Sequence, residues 1–224
     1  MSDTVPPPHA KIVTVDVVLL TIVDQALCVG LIRRDTEPFA GRDALIGGYV
    51  RDEDRDTLAT ATRVLQQKAG LDGFFIEQLA TFSGRTRDPR GWSVSVTYLA
   101  LTPLDRLLKA MGTTPQIALH PIARLAPLPF DHSDIVATAV ERLRSKGAYS
   151  TLPARLLPET FTLSELIATY QIALGTPRID KSSFRRKLME LNLVRPVDGY
   201  RETGGRQAQL YELTLPISVF DRRL

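Results

Sequence analysis

The stretch Gly47-Gly48-Tyr49-Val50, leading through the acidic loop Arg51-Asp52-Glu53-Asp54-Arg55-Asp56 into Arg63-Val64-Leu65-Gln66-Gln67-Lys68-Ala69-Gly70-Leu71, decides the fold of the first half of this chain. Paired glycines allow close backbone approach. Leu58, Ala61 and Leu65 then recur at helical spacing, so Leu58 to Lys68 reads as an amphipathic helix. Gly70 stops it, because glycine tolerates the left-handed backbone that closes a helix. Upstream, the β-branched and aliphatic run Ile12 to Ile32 reads as strand, turn near Asp24-Gln25, and strand. Downstream, strands are expected at Phe74–Ser83, Ser93–Leu101 and Ile117–Pro121. A helix is expected at Ser133–Lys146, capped by Asp131 or Ser133 and ended by Gly147. Strand, loop, helix and strands in that order suit a mixed α/β (α+β) sandwich.

The frame around residues 47–71 resembles the Nudix box, the loop–helix signature of pyrophosphate hydrolases, G-x5-E-x7-R-E-U-x-E-E-x-G-U with U aliphatic. Gly48, Arg63, Leu65, Gly70 and Leu71 occupy its scaffold positions, while Val64, Gln67 and Lys68 stand where the family has glutamates. Glutamates at the first, fourth and fifth of five helical positions share one face and converge on divalent metal. Valine cannot ligate, glutamine offers one neutral oxygen, and lysine brings positive charge to the metal's place. The acidic loop is one residue longer than the family spacing, which puts its carboxylates out of register. The resemblance extends through Glu37-Pro38-Phe39-Ala40-Gly41, the loop Phe82 to Gly91, the strand Ser93 to Leu101 and Phe130-Asp131-His132-Ser133-Asp134-Ile135. One departure is Ile46, where a proline is usual. Together these segments span about residues 12–146.

Composition divides the chain of 224 residues. Residues 1–150 hold 17 Lys+Arg against 17 Asp+Glu, whereas residues 151–224 hold 11 against 8, so the net charge of +3 resides in the C-terminal part. There Thr162-Leu163-Ser164-Glu165 forms a capping box, and Leu163, Leu166, Ile167, Tyr170 and Leu174 share one helical face. Gly175-Thr176-Pro177 breaks that helix. Asp180 caps a second, in which Phe184, Leu188 and Leu191 point inward, and two strands flank Gly204-Gly205-Arg206. This order is a winged helix-turn-helix. The expected organisation is a disordered or extended segment 1–11, a Nudix-like α/β/α sandwich over 12–147, a linker or docking segment over 148–158, and a winged helix over 159–224.

The whole chain is similar to the Nudix-related transcriptional regulators (NrtR). The resemblance implies a homodimeric repressor of NAD metabolism genes, whose degenerate Nudix domain senses ADP-ribose or a related nucleotide and whose winged helix binds operator DNA. Gly47, Gly48, Arg51, Lys68, Arg85, Arg87 and Arg90 are the candidate nucleotide ligands. Arginine forks match phosphate oxygens, and Lys68 stands ready to replace the metal. The competing reading of each arginine is a surface or intradomain salt bridge. His132, beside Asp131, reads as part of a helix start rather than as a catalytic base. For DNA the candidates are Arg178, Lys181, Ser182, Ser183, Arg185, Arg186, Arg201 and Arg206, with Lys181, Ser182, Arg185 and Arg186 opposite Phe184 and Leu188.

No catalytic residue, metal ligand or cofactor is expected, and the nucleotide is an effector. The rival reading is an active ADP-ribose pyrophosphatase with divergent metal ligands, Glu53 and Asp54. A third is an interaction module whose winged helix docks proteins. The single Cys28 excludes an internal disulfide and reads as a buried strand thiol. Met1 to Ala10 lacks an apolar signal core, and Val17 to Val23 is far shorter than the roughly 20 residues that span a bilayer. A cytoplasmic location is the expectation. The dimer surface is expected on the Nudix half, including the Ser133–Lys146 helix.

Overall fold

A computed structural model describes residues 11–112, 117–203 and 205–220. The expectation for the N-terminal segment falls almost wholly outside them. The N-terminal half is built on strand β1 (Ile12–Val23), the longest in the chain. Its alternate side chains supply both layers of core. Val15, Val17 and Leu19 pack with helix α1 (Thr57–Ala69) and helix α2 (Leu104–Met111). Val18 and Leu20 pack with helix α3 (His132–Gly147) on the opposite face. With both faces covered, the strand reads as a near-continuous apolar run, which is why its partners are set by register and not by amphipathic alternation.

β1 turns at Asp24 and Gln25, both with positive φ, into β2 (Ala26–Arg33). Two consecutive left-handed residues match the twist of a tight hairpin. Strands β3 (Asp43–Ala44) and β4 (Ile46–Tyr49) follow within the stretch 35–48 that the sequence presents as loop. β5 (Phe75–Gly84), β6 (Ser93–Leu101) and β7 (Ile117–Pro121) complete a seven-stranded sheet of order β3-β2-β1-β6-β5, with β4 against β1 and β7 against β2. β1 and β6 run parallel from Ile12↔Ser93 to Leu20↔Leu101. β4 pairs antiparallel to β1 with Asp16 opposite Gly47. Helix α2 is not anticipated from the sequence: it is eight residues long, follows Pro103 and buries Leu107 alone. Leu58, assigned above to the apolar face of α1, is 41% exposed, and Val64 is buried in its stead. Cys28 is buried.

The C-terminal half comprises β8 (Phe161–Thr162), helix α4 (Leu163–Leu174), helix α5 (Lys181–Glu190), β9 (Val194–Thr203) and β10 (Arg206–Leu213). Its three strands form a separate sheet of order β8-β10-β9. The capping box is complete: Glu165 N donates to Thr162 Oγ1 at 3.2 Å, and Thr162 N donates to Glu165 Oε2 at 2.7 Å. Asp180 caps α5 by accepting from Ser183 N at 2.7 Å. Tyr170, Phe184, Leu188 and Leu193 centre the core of this half.

The segment 148–158 is where the halves meet. A short 3-10 helix, Leu152–Leu156, buries Leu152 and Leu156 in the same cluster as Leu143 of α3 and Ala173 of α4. Ser150 bridges Val219, and Thr151 N donates to Ser218 O at 2.9 Å. Tyr170, 1% exposed, donates its hydroxyl to Ser150 O at 2.7 Å while its ring meets Phe184 edge-on at 4.9 Å. Burial pushes that phenol far above its ordinary range, so it remains a donor at any working pH. A Tyr170→Phe variant leaves the buried carbonyl without this donor. The expected cost is about 1–2 kcal/mol. That corresponds to a fall in Tm of about 2–8 °C by thermal denaturation, and an unchanged Tm would show that this bond contributes nothing to the joint.

Candidate functional site

A cavity of about 430 Å3 opens where β4, α1 and the loop after β5 converge. Gly47, Gly48, Lys68, Arg87 and Arg90 line it. Two other nucleotide candidates do not: Arg51 borders a separate depression with Asp54 and Arg63, and Arg85 lies exposed outside both. The remaining lining includes Asp16, Arg34, Glu37, Tyr49, Asp88, Phe130 and His132, none of which was singled out from sequence as a ligand. Asp16 carried a usable signal, a carboxylate interrupting the apolar run Val15 to Val18. Arg34 and Phe130 carried none, because long loops bring them in.

Asp16 organises the floor. It is 8% exposed, accepts from Ser95 Oγ at 2.7 Å, and faces Arg87 Nη2 at 3.7 Å and His132 Nε2 at 3.8 Å. Gly47 is required beside it, since a Cβ there would lie 2.2 Å from Asp16 Oδ1 and 2.8 Å from the Val15 carbonyl. Gly48 is required by the helix, since its Cβ would lie 2.9 Å from Val64 Cγ1. Arg87 grips Asp131 through Nε and Nη2, both at 2.8 Å, and donates to Ser93 Oγ at 3.1 Å. Asp131 is thereby diverted from capping α3 and makes no side-chain cap. His132 accepts from Leu45 N at 3.1 Å through Nδ1, which leaves the proton on Nε2, towards Asp16. Burial drives its pKa below the ordinary 6.5, against the pull of Asp16 and Asp131.

The walls are cationic and aromatic. Burial would raise Asp88, but the bonds from Arg90 hold it below its usual range. Arg90 Nη2 meets Asp88 at 2.7 Å, and its Nη1 donates to the Tyr49 hydroxyl. Arg34 lies over the Phe130 ring at 4.9 Å and donates to the Pro38 carbonyl at 2.8 Å. Phe39 meets the same ring edge-on at 4.9 Å. Of the four arginines expected at phosphate, Arg87 and Arg90 are in salt bridges and at the cavity at once. Lys68 uses one of its three protons, on the Gly47 carbonyl at 2.5 Å, and burial lowers its pKa. It is the cavity's least committed cation.

These residues do not fit the divalent metal of a Nudix enzyme. Val64 is 1% exposed within the core, and Gln67 points to solvent. Among the described residues, no three His, Cys, Asp or Glu side chains converge as a metal site. Asp54, out of register for metal, has a structural use. It takes Arg63 Nε at 2.7 Å and Nη2 at 2.6 Å, with Thr60 Oγ1 at 2.8 Å. The Arg63 guanidinium holds its carboxyl well below the usual range. Glu53 is exposed in the same loop.

The second candidate surface is α5. Phe184 and Leu188 are buried, and Lys181, Ser182, Ser183, Arg185 and Arg186 all face solvent, as does Arg178 in the preceding turn. Arg186 lies 3.7 Å from Glu190, an exposed pair of little energetic weight. Arg201 is placed differently from a phosphate contact. It grips Glu165 at 2.7 and 2.8 Å and donates to Thr160 O at 3.3 Å, bracing the capping box of α4. The side chain of Arg206 lies outside the described residues. A solvent-facing basic helix anchored by two apolar residues has the form of a groove-reading element.

Comparison with known proteins draws the two surfaces together. Residues 153–213 match the family model of the NrtR DNA-binding winged helix domain. The chain is 36% identical over 210 residues to the ADPR responsive transcriptional repressor NtrR of Acinetobacter baylyi, covering 92% of this chain and 83% of that one. The structure of Shewanella oneidensis NrtR complexed with a 27mer DNA superposes with a TM-score of 0.87 at 36% identity, covering 95% of this chain and 99% of that one. The NUDIX domain of the same S. oneidensis protein, complexed with ADP ribose, matches at a TM-score of 0.54 and 36% identity over 61% of this chain and 90% of that one.

Because buried His132 resists protonation, the unfolded chain takes up a proton between the ordinary 6.5 and the lower folded value. Stability therefore rises with pH across that window and falls on acidification, by at most about 1.4 kcal/mol per pH unit from this group. Tm measured from pH 7.5 to 5 should fall less steeply for His132→Gln than for the parent chain. Parallel profiles would contradict a neutral buried imidazole.

Proposed function

The chain belongs to the NrtR family of transcriptional regulators, and we propose that it is a DNA-binding repressor of NAD metabolism genes, responsive to ADP-ribose or a close nucleotide. It works as a cytoplasmic homodimer on a near-palindromic operator. The observation that carries this reading is the pairing, in one chain, of a cavity lined by Arg34, Lys68, Arg87 and Arg90, with Val64, Gln67 and Lys68 at the Nudix metal positions, and an exposed basic helix. Among the described residues no helix is long and apolar enough to cross a membrane, which accords with a partner in the nucleoid.

In the nucleotide cavity, Lys68 supplies the positive charge that a metal supplies in hydrolases. Its two remaining protons and the Arg34 and Arg90 guanidiniums surround the pyrophosphate. Arg87 positions the loop through Asp131 and donates little further. Phe130 offers an aromatic surface already bracketed by cations. Arg51 and Arg85 have no part in this cavity. On DNA, Lys181, Ser182, Ser183, Arg185 and Arg186 present donors to the major groove, with Arg178 on phosphate. Arg201 acts by holding α4 and does not touch DNA.

Ligand binding lowers operator affinity because the nucleotide is held more tightly in the DNA-free arrangement of the two halves, and DNA weakens nucleotide binding by the same factor. Fluorescence anisotropy on duplexes drawn from upstream of the neighbouring genes tests this. Saturating ADP-ribose should weaken binding about 5- to 150-fold, the usual span of such coupling. Lys68→Gln should blunt that response while leaving DNA affinity without ligand intact. Operator affinity indifferent to ADP-ribose would remove the switch.

Hydrolysis is absent in this reading, since Val64 cannot ligate, Lys68 repels a cation and Asp54 is spent on Arg63. AMP released from ADP-ribose with Mg2+ or Mn2+, and lost in a Glu53→Gln/Asp54→Asn variant, would restore the pyrophosphatase alternative. The DNA surface has its own discriminating pair. Arg185→Ala/Arg186→Ala should lower operator affinity by tenfold or more, on the order of 1–3 kcal/mol per base-reading arginine, with Tm preserved. Arg201→Ala should lower Tm and leave the salt dependence of DNA binding unchanged. The opposite pattern would place Arg201 on DNA.

A further inference from the structure

The joint between the halves holds a second cavity, of about 780 Å3, that shares no lining residue with the nucleotide site. Helix α2 lines it with Arg106 and Lys109, the connector contributes Arg155, and the winged half closes it with Phe161, Leu213 and Pro216. Arg155 sits in the 3-10 helix that joins the halves. It donates through Nη2 to the Pro216 carbonyl, while its Nε is buried and makes no hydrogen bond among the described residues. Among the described residues no carboxylate pairs with it, and burial depresses its pKa. A guanidinium edge withdrawn from water without a partner is costly, and natural structures tolerate it mainly where something else completes it. Lys109, exposed and contributed by α2, has no ion pair among the described residues, and Arg106 spends Nη2 on the Asp72 carbonyl at 2.6 Å. Of the acids lining the cavity, Glu212 is bound to Arg195 at 2.5 Å, and Asp105 and Glu159 are exposed.

We propose that this cavity binds a small phosphate-bearing anion, held by the Arg155 guanidinium, which turns its buried Nε edge towards the anion, and by Lys109 and Arg106 from α2. The size is that of small-molecule sites. A guanidinium edge presents parallel N–H donors to two oxygens of one phosphate, and two further cations in the lining suit more than one negative charge. Because the walls come from both halves, the bound anion fixes their relative placement. Its binding does not depend on the nucleotide reading. Its regulatory consequence does rest on that reading, as a second input to the same DNA-binding switch.

Isothermal titration of the full chain with inorganic pyrophosphate, without divalent cations, tests the proposal. Lys68→Gln weakens the nucleotide cavity as a competing site, and the joint variants made in that background separate the two sites. In that background pyrophosphate should still bind, and adding Arg155→Met or Arg106→Gln/Lys109→Gln should weaken binding tenfold or more. Arg155→Met should keep or raise Tm, since it replaces an unpaired, partly buried cation with an apolar chain. Should that variant fail to fold, the two exposed α2 residues carry the test alone. Affinity unchanged in the α2 double variant, no pyrophosphate binding in the Lys68→Gln background, or succinate binding as tightly as pyrophosphate would each overturn the proposal.

Discussion

A carboxylate inside the sheet is the constraint on which the N-terminal half depends. Asp16 lies on β1, between residues that build both core layers, and a bare charge there would cost several kcal/mol in lost hydration. Its neighbours are ordered by that cost. Ser95 gives it a hydroxyl, Gly47 gives it room, His132 turns its protonated nitrogen towards it, and Arg87 offsets its charge from beyond hydrogen-bond range. Arg87 in turn recruits Asp131, so one buried acid ties β1, β4, β6, the loop after β5 and the start of α3 into a single polar network. The cavity floor is rigid because these groups satisfy one another, and removal of any one leaves the others short.

Much of the architecture was legible because it follows from local chemistry. The hairpin at Asp24-Gln25, the stop at Gly70, the caps at Thr162 and Asp180, and the strand Ser93–Leu101 occur where turn residues, capping pairs and apolar periods place them. What escaped depends on tertiary contact. β4 is four residues containing two glycines, and it is a strand only because β1 supplies its ladder. Helix α2 buries one leucine, too little for a period to show. Among site residues, the degenerate helix positions were readable one by one, whereas Arg34, Phe130 and Asp16 are assembled from segments far apart. Which basic residues are free was not readable at all. Arg201 and Arg185 look alike in sequence, and only the location of Glu165 separates a brace from a donor.

In the proposed function, a lysine in place of a metal changes what occupancy means. A metal-bridged pyrophosphate is activated for attack, whereas one held by ammonium and guanidinium groups is merely neutralised. Val64 filling the core against Gly48 makes the change hard to reverse, since a glutamate at that position would have to displace packing that the glycine already accommodates. The loop acid Asp54, closed on Arg63, keeps the box in shape without the ion. Retained shape of this kind suits the proposed receptor, in which the binding energy of an uncleaved ligand acts elsewhere.

Where that energy can act is set by the joint. The connector is neither a tether nor a free hinge: Leu152 and Leu156 share a core with Leu143 and Ala173, and Tyr170 reaches across to Ser150. A close-packed junction does not deform smoothly, so the halves change relation by stepping between discrete packings. Helix α3 begins at the cavity with Asp131 and His132 and ends in that junction. In the proposed switch, a small displacement of its first turn on ligand binding would be delivered, along one helix, to the residues that orient the winged half. A ligand can shift this balance only by its differential affinity for the two packings. The groups placed to supply that difference are Arg87 and Asp131, which couple the cavity loop to the helix itself.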